Sequence, residues 1–345
     1  MRRIDASWAV RWGDYVPLSL SRSITRRRLV SFFYHTVSDA PMAHVRNLFV
    51  CKNAAQFEQD LILLKSRFQL PTHAEIAHRQ NGRSASAAWS AAISFDDGLR
   101  ECSDAVRPLL LKHGVPCMFF IITDAIDNRS LMFRNKVSLF LERWHALAPA
   151  DRAARREKLG RRFEAPYRDD REFLGWIDRL PAQGVDDIDA LCESLEIDLD
   201  GFLRDVRPYM TREQILQLHR DGFTIGAHTR AHPRLWELKD ATEVEREIIE
   251  SCAAVRDLTG QAKVPFAFPF NGLWMDRDRI DAIRKKTGFI DLFYDSNNLM
   301  RDRGSVVNRI WVDSPEGAAP GRSNLPRLLR RAHALEPFRA MKRMM

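Results

Sequence analysis

The sequence lacks any long hydrophobic run. No apolar stretch approaches the roughly 18 residues that a membrane-spanning helix needs. Near the N-terminus, basic Arg2 and Arg3 are followed by a segment in which Asp5 and Arg11 interrupt any apolar core of a secretory signal. We therefore expect a cytoplasmic protein without a membrane span, held at a membrane surface at most.

Cysteine is also scarce, with five among 345 residues, an odd number without any Cys-x-x-Cys spacing. Cys117 lies in an apolar segment that predicts a strand, and Cys252 lies on the apolar stripe of a predicted helix. This usage argues against a disulfide framework. We expect reduced, buried thiols.

Positive charge is in excess, and the net charge is +8. The basic residues gather in segments 26–28, 152–162 and 327–343. Such clusters can bind nucleic acids, anionic lipids or acidic sugars. Because no nucleic-acid-binding module or aromatic platform accompanies them, we expect no nucleic-acid partner and interpret them mainly as solvated helix faces. Contact of these clusters with a membrane surface or an anionic glycan remains an open alternative. The sequence does not predict an oligomeric state.

Short apolar runs alternate with helical patterns over most of the chain. The runs that predict strands are 29–34, 89–93, 116–122, 223–225, 264–268, 290–294 and 306–312. Strands that alternate with helices over short connections predict a parallel sheet. Both an α/β barrel and an open doubly wound sheet fit this alternation.

One long segment, from about residue 124 to residue 209, interrupts the alternation with helical patterns only. Loops at the active rim of such folds accept additions, so we expect a helical insertion rather than a separate domain. Residues 1–28 are interpreted as an N-terminal extension, 29–322 as the core with its insertion, and 323–345 as a basic C-terminal helix or tail.

Two adjacent acids follow the second predicted strand, in the sequence Ser94-Phe95-Asp96-Asp97-Gly98. Asp96 and Asp97 are hard to explain as core residues, because a buried charge is costly unless it is paired or bound to a metal. Gly98 allows a tight turn directly after them. The strand therefore delivers two carboxylates to one rim of the sheet.

A second polar motif, at residues 228–233, follows the short run 223–225. His228 and His232 are four residues apart, but Pro233 disfavours helical backbone at His232, so we expect a loop. By itself such a pair is more often incidental than a ligand set. Together with the acid pair it predicts a divalent-metal site of two imidazoles and one carboxylate, with the other carboxylate left as a base.

The two motifs together resemble those of the polysaccharide deacetylase family, also called the NodB-homology or carbohydrate esterase family 4 group. The first family motif, T-F-D-D-G, stands here as S-F-D-D-G at 94–98, and the second, H-[ST]-x-x-H-P, is intact at 228–233. The resemblance extends over about 29–312 apart from the insertion. It implies a distorted, incomplete (β/α) barrel and so favours the barrel over the open sheet.

The resemblance also implies roles for individual residues. Asp97, His228 and His232 match the metal ligands of the family, and Asp96 matches the catalytic base. Zinc suits two imidazoles and one carboxylate, and cobalt or iron also fits this set. The non-haem iron oxygenases share the ligand set, but their His-x-Asp spacing is absent here.

The sequence departs from the family pattern in two places. In the third motif, R-x-P-[YF], Ala267 stands where the family has the arginine that holds its base. Phe270 matches the aromatic residue whose backbone amide donates to the oxyanion, although its side chain could equally plug the barrel mouth. The late histidine that serves as general acid is missing, and Asn308-Arg309-Ile310 resembles the run that replaces it in some relatives. His35 resembles the Tyr-His motif of those relatives and is a candidate for active-site support.

The resemblance thus implies a metal-dependent hydrolase that removes N-acetyl or O-acetyl groups from a saccharide or polysaccharide precursor. Two alternatives remain open at this point. One is a catalytically impaired relative that binds glycans, favoured by the missing arginine and histidine. The other is a hydrolase of a different C–N amide bond on the same scaffold.

Overall fold

Seven parallel strands form a closed barrel in the computed structural model, which describes residues 25, 28–80, 88–164, 167–181, 185–314 and 323–344. Neighbours in sequence are neighbours in the sheet, and the last strand pairs with the first. The strands are β1 (Leu29–Tyr34), β2 (Ser90–Phe95), β3 (Met118–Ile121), β4 (Thr224–Ala227), β5 (Val264–Ala267), β6 (Ile290–Asp295) and β7 (Val306–Trp311). The predicted barrel is confirmed, and the pairing of β7 with β1 closes a sheet that the resemblance implies to be incomplete.

Helices connect the strands on the outside of the barrel. They are α1 (Ala54–Arg67), α2 (His73–Gln80), α3 (Arg107–His113), α4 (Phe133–His145), α5 (Pro149–Arg162), α6 (Asp170–Arg179), α7 (Val185–Ser194), α8 (Leu199–Val206), α9 (Arg212–Arg220), α10 (Ala241–Thr259), α11 (Arg277–Thr287) and α12 (Leu325–Met344). Side-chain caps explain where several begin: Asn53 and Thr211 form capping boxes, and Asp240 accepts from the first-turn amides of α10. A π-helical turn, Cys102–Val106, precedes α3, and this is where Pro108 predicts a kink or a late start.

The barrel interior is filled by apolar side chains from alternate positions of the strands. One buried cluster contains Ala92, Met118, Phe120, Ala267, Leu292, Tyr294 and Val307, together with Ile76 of α2. Gly226 of β4 makes room for this packing, since a Cβ atom there would lie 2.4 Å from Cδ1 of Phe120. The interior is therefore a packed core, which leaves the carboxyl ends of the strands for a site.

Helices α4 to α8 lie between β3 and β4 and make up the insertion. They bury a cluster of their own, in which the Trp144 and Phe173 rings are 4.7 Å apart. The end of the insertion is tied to the barrel rim, because Tyr209 pairs with Leu99 and the Met210 amide donates to the Gly98 carbonyl oxygen. Within the insertion, the Tyr209 hydroxyl donates to Asn135 and accepts from the Met132 amide. The insertion is thus anchored at both of its ends beside the rim that carries the motifs.

Several predictions concern other parts of the chain. All five cysteines are free, and four of them are buried, as predicted. Within the described ranges, no helix combines the length and the apolar character that crossing a bilayer requires. Most of the N-terminal extension lies outside the described residues.

Candidate metal centre and active site

The two motifs meet at the carboxyl end of the barrel. Strand β2 ends at Phe95, directly before the acid pair, and β4 ends at Ala227, directly before His228. The next residues turn sharply, with positive φ angles of 69° at Asp97 and 60° at His232. Non-glycine residues in this region are strained, and such strain is concentrated at functional sites.

This turn separates the two carboxylates of the acid pair. Alternation along a continuing strand would point Asp96 and Asp97 to opposite sides, but the strand has ended before them. The left-handed backbone at Asp97, followed by Gly98 with φ of 71°, directs the two carboxylates apart instead.

Asp97, His228 and His232 bring three donor atoms together. Asp97 Oδ1 lies 3.5 Å from Nε2 of His228 and 3.5 Å from Nε2 of His232. The three side chains are buried, and the donor atoms lie within 4.8 Å of one another. The structure therefore places the three predicted ligands around one point.

The surroundings of these donors fit a metal ion. His228 Nδ1 lies 2.9 Å from the Ala267 carbonyl oxygen, so that this nitrogen carries the proton and Nε2 presents its lone pair. Asp97 Oδ1 is buried without a hydrogen bond. A buried, unpaired carboxylate oxygen beside two imidazole nitrogens is costly unless a cation binds there. The donor set is one that zinc accepts, and cobalt and iron accept it also.

The ionisation tendencies of the three ligands agree with this interpretation. Burial lowers the pKa of His228 and lowers that of His232 further below its ordinary value, which keeps both imidazoles neutral. Burial raises the pKa of Asp97. Neutral imidazole is the form that binds metals, and a cation beside Asp97 opposes its protonation.

Asp96 is held apart from this cluster by Arg309. The guanidinium makes a bidentate pair, with Nη1 2.7 Å from Oδ1 and Nη2 2.8 Å from Oδ2. Both side chains are buried, at 0% and 3% exposure. Burial raises the pKa of Asp96, but Arg309 and the nearby imidazoles outweigh it, and the pKa falls below its ordinary value. Asp96 is therefore an ionised carboxylate in a dry site.

Arg309 is a residue whose role the sequence analysis missed, since it appeared there only within the run 308–310. It lies in β7, where it pairs in register with Ser31 of β1, and its guanidinium packs over the rings of Phe33 and Phe120 at 4.5 and 5.1 Å. Its guanidinium contacts Asp96, the residue that the resemblance pairs with the arginine missing at Ala267. The signal in the sequence was an arginine inside an apolar strand, since such a charge must find a partner.

His35 lies at the same rim, directly after β1. Its Nδ1 is 3.0 Å from Asp313 Oδ1, and its backbone amide donates to Asp313 Oδ2 at 2.7 Å. Burial lowers the pKa of His35, but the charge and hydrogen bond of Asp313 dominate, and the pKa rises to about 9. The His35 ring also stacks on Phe49, with centroids 4.3 Å apart. His35 is thus a fixed, protonated imidazole, and Asp313 is a second residue that the sequence analysis missed.

This pair makes the stability of the metal-free protein depend on pH. The folded-state pKa of His35 is raised, so its contribution is complete below about pH 6.5, the unfolded value, and is lost as the pH rises through about 9. By linkage the loss approaches about 3 kcal/mol. Chelated wild type, His35→Gln and Asp313→Asn should be compared by urea unfolding between pH 6 and pH 10. Both variants should show a flatter profile than wild type over this range, and parallel profiles would refute the assignment.

Phe270 follows β5 in a strained loop, with φ of 60°. Its ring packs against His232 at 5.1 Å and against Trp236 at 5.6 Å, while Arg234 lies over it at 5.7 Å. The Phe270 side chain therefore packs against a candidate ligand histidine at the barrel mouth, as a plug would. The contacts of the described residues do not test whether the Phe270 backbone amide donates to an oxyanion, and this role stays a prediction.

These groups open into a cavity of about 500 Å³. Its wall contains Asp96, Asp97, His35, His228, His232 and Arg309. Half-exposed apolar side chains stand near it, including Leu273 and Trp311 on its wall. Apolar and aromatic surfaces beside a few polar groups are typical of small-molecule and sugar sites.

The fold and the donor set define a (β/α) barrel with a candidate mononuclear metal centre at the carboxyl end of its strands. Residues 174–289 match the family profile described as polysaccharide deacetylase. This match contains His228, His232 and Phe270 but not the acid pair. It supports a deacetylase of the polysaccharide type. A comparison with curated proteins gave no match.

Solved structures share the fold. The Streptococcus pyogenes deacetylase PplD, solved with acetate, aligns with a TM-score of 0.53 and 14% identity over 88% of this chain and 98% of its own. IcaB from Ammonifex degensii aligns with a TM-score of 0.53 and 16% identity over 88% and 97%. A de-N-acetylase from Aggregatibacter actinomycetemcomitans aligns with a TM-score of 0.53 and 14% identity over 88% and 100%. At such identities the likeness shows the fold, and with the profile match it confirms the predicted resemblance to polysaccharide deacetylases.

Proposed function

We propose that the protein is a metal-dependent hydrolase that removes an acetyl group, N-linked or O-linked, from a saccharide or polysaccharide precursor. The observation that carries this proposal is the separation of the two neighbouring acids. Asp97 faces two neutral imidazoles, whereas Asp96 is paired with Arg309 and stays ionised. Adjacent carboxylates in unlike environments are suited to different tasks, one as a ligand and one as a base.

Asp97, His228 and His232 would hold the metal, with zinc as the best fit and cobalt or iron as alternatives. A metal bound there supplies Lewis acidity, which polarises an acetyl carbonyl and lowers the pKa of water. Asp96 accepts the proton of the attacking water. Arg309 positions Asp96 and occupies both of its oxygens, so that the carboxylate has one fixed orientation.

His35 supplies the proton that the leaving group needs. The bond between the carbonyl carbon and the sugar nitrogen or oxygen breaks, and the leaving atom takes the proton from His35, so that acetate and a free amine or hydroxyl are the products. Asp313 holds the imidazole protonated and oriented. The backbone amide at Phe270 is the proposed donor to the oxyanion, as the resemblance implies.

The two alternatives from the sequence have less support. The impaired glycan-binding relative rests on a missing arginine and a missing histidine. In our proposal, Arg309 of β7 and His35, directly after β1, take over those roles, which their pairing with Asp96 and Asp313 supports. A hydrolase of another C–N amide bond would use the same groups, so a substrate panel must separate it from a deacetylase.

The test is acetate release from N-acetylated and O-acetylated oligosaccharides, measured with metal content in wild type and in a His228→Ala/His232→Ala double variant. Wild type should bind about one divalent ion per chain, as one three-ligand site implies, and should release acetate. The double variant should lose both. Undiminished metal in the double variant would refute the ligand assignment, and metal without acetate release in wild type would favour the glycan-binding relative.

A further inference from the structure

Among the described residues on the cavity wall, one charged side chain has no task in the chemistry above. Arg134 is the second residue of α4 and belongs to the insertion, yet it lies on the wall of the same cavity as the metal ligands. The insertion thus places a cation beside the reacting groups.

The other cations on the wall are already paired with buried carboxylates. Arg309 is bound to Asp96, and His35 is bound to Asp313. The partner of Arg134 is different, because Nη1 lies 3.1 Å from Asp178 Oδ1 and the Asp178 side chain is 73% exposed. A pair with so exposed a carboxylate contributes little free energy. An incoming anion can therefore replace Asp178 at small cost.

We propose that Arg134 binds an anionic group of the substrate, a carboxylate or a phosphate on the saccharide, and so selects acidic acetylated sugars over neutral ones. This inference rests on the proposed function, since it names the substrate class of the same site. Arginine presents a planar fork of donors that suits carboxylate and phosphate oxygens. The net charge of +8 also favours the binding of an anionic substrate.

The probes for the test are N-acetylglucosamine, N-acetylglucosamine 6-phosphate and N-acetylmuramic acid, which are neutral, phosphorylated and carboxylated. Their dissociation constants should be measured calorimetrically on the full chain loaded with zinc. We expect at least one anionic probe to bind roughly tenfold more tightly than the neutral one, as one charge-assisted contact allows. Arg134→Gln should abolish this preference and leave the affinity for the neutral probe unchanged.

Three further variants sharpen the result. Arg143→Gln removes the same charge from an exposed position on the same helix and should keep the preference. Asp178→Asn weakens the competing pair and should increase the affinity for anionic probes. Arg134→Lys should retain phosphate binding better than carboxylate binding, because lysine keeps the charge but loses the fork.

The outcomes distinguish a failure of the inference about Arg134 from a failure of the proposed deacetylase function. Equal affinities of wild type for neutral and anionic probes, or an undiminished preference in Arg134→Gln, overturn the role of Arg134. Equal rates of acetate release by wild type from neutral and from matched acidic oligosaccharides overturn it also, while supporting the deacetylase. A preference that depends on Arg134, without acetate release from any probe, supports the anion site and counts against the proposed hydrolysis.

Discussion

Asp96→Asn is expected to retain metal while its deacetylation rate falls by about a hundred- to ten-thousand-fold, the usual cost of losing a general base. Asp97→Ala is expected to lose metal and activity together. The two residues are neighbours in sequence, but Asp97 faces His228 and His232 whereas Asp96 faces Arg309. The measurement is metal content beside acetate release for both variants.

Stability must be measured in the same samples. Asparagine keeps an oxygen for Arg309 but removes the countercharge, so Asp96→Asn should unfold at lower urea concentration than wild type. Assays are therefore made where each variant is folded, as judged by circular dichroism. Equal metal loss in both variants would make the acid pair a joint ligand set, and full activity in Asp96→Asn would remove it as the base.

The strands were predictable because each is a short apolar run whose two ends are marked by polar residues, glycine or proline. The helices α1, α9 and α10 were predictable from their caps, since Asn53, Thr211 and Asp240 do what such residues do at N-termini. The candidate metal ligands could be predicted from the sequence for a related reason. Parallel strands end at one rim, so the residues after β2 and β4 are brought together by topology alone.

Arg309 and Asp313 were harder to place, because their partners depend on barrel closure. Arg309 reaches Asp96 only if β7 pairs with β1, which lies beside β2. Nothing in the local sequence of β7 states that pairing. The sequence showed which family arginine was missing, and only the closed sheet shows which residue supplies its guanidinium.

The insertion shows a different limit of prediction from the sequence. Its helical character followed from periodicity, but the position of Arg134 on the cavity wall depends on how α4 packs against the rim. The buried contacts of Tyr209 with Asn135 and Met132 set that packing. These residues are far apart in sequence and have no motif, so their pairing is a property of the folded chain.

Arg309→Met is expected to be the most damaging single change in the barrel. It leaves the buried Asp96 carboxylate without its partner, and breaking a buried pair in this way typically costs about 3–5 kcal/mol. The largest influence that lowers the pKa of Asp96 is removed, so burial raises that pKa. A base must be deprotonated to act, so any remaining activity should appear only at higher pH than in wild type.

A double variant distinguishes loss of the pair from loss of packing. Asp96→Leu/Arg309→Met replaces both charges by apolar side chains of similar volume, and such replacements are often neutral or stabilising. We expect the double variant to recover most of the stability lost in Arg309→Met, to bind metal through Asp97, His228 and His232, and to have no deacetylase activity. Urea unfolding, metal analysis and acetate release measure these three properties. If the double variant is as unstable as Arg309→Met, the guanidinium matters for its packing over Phe33 and Phe120 rather than for its charge, and the pairing account of Asp96 fails.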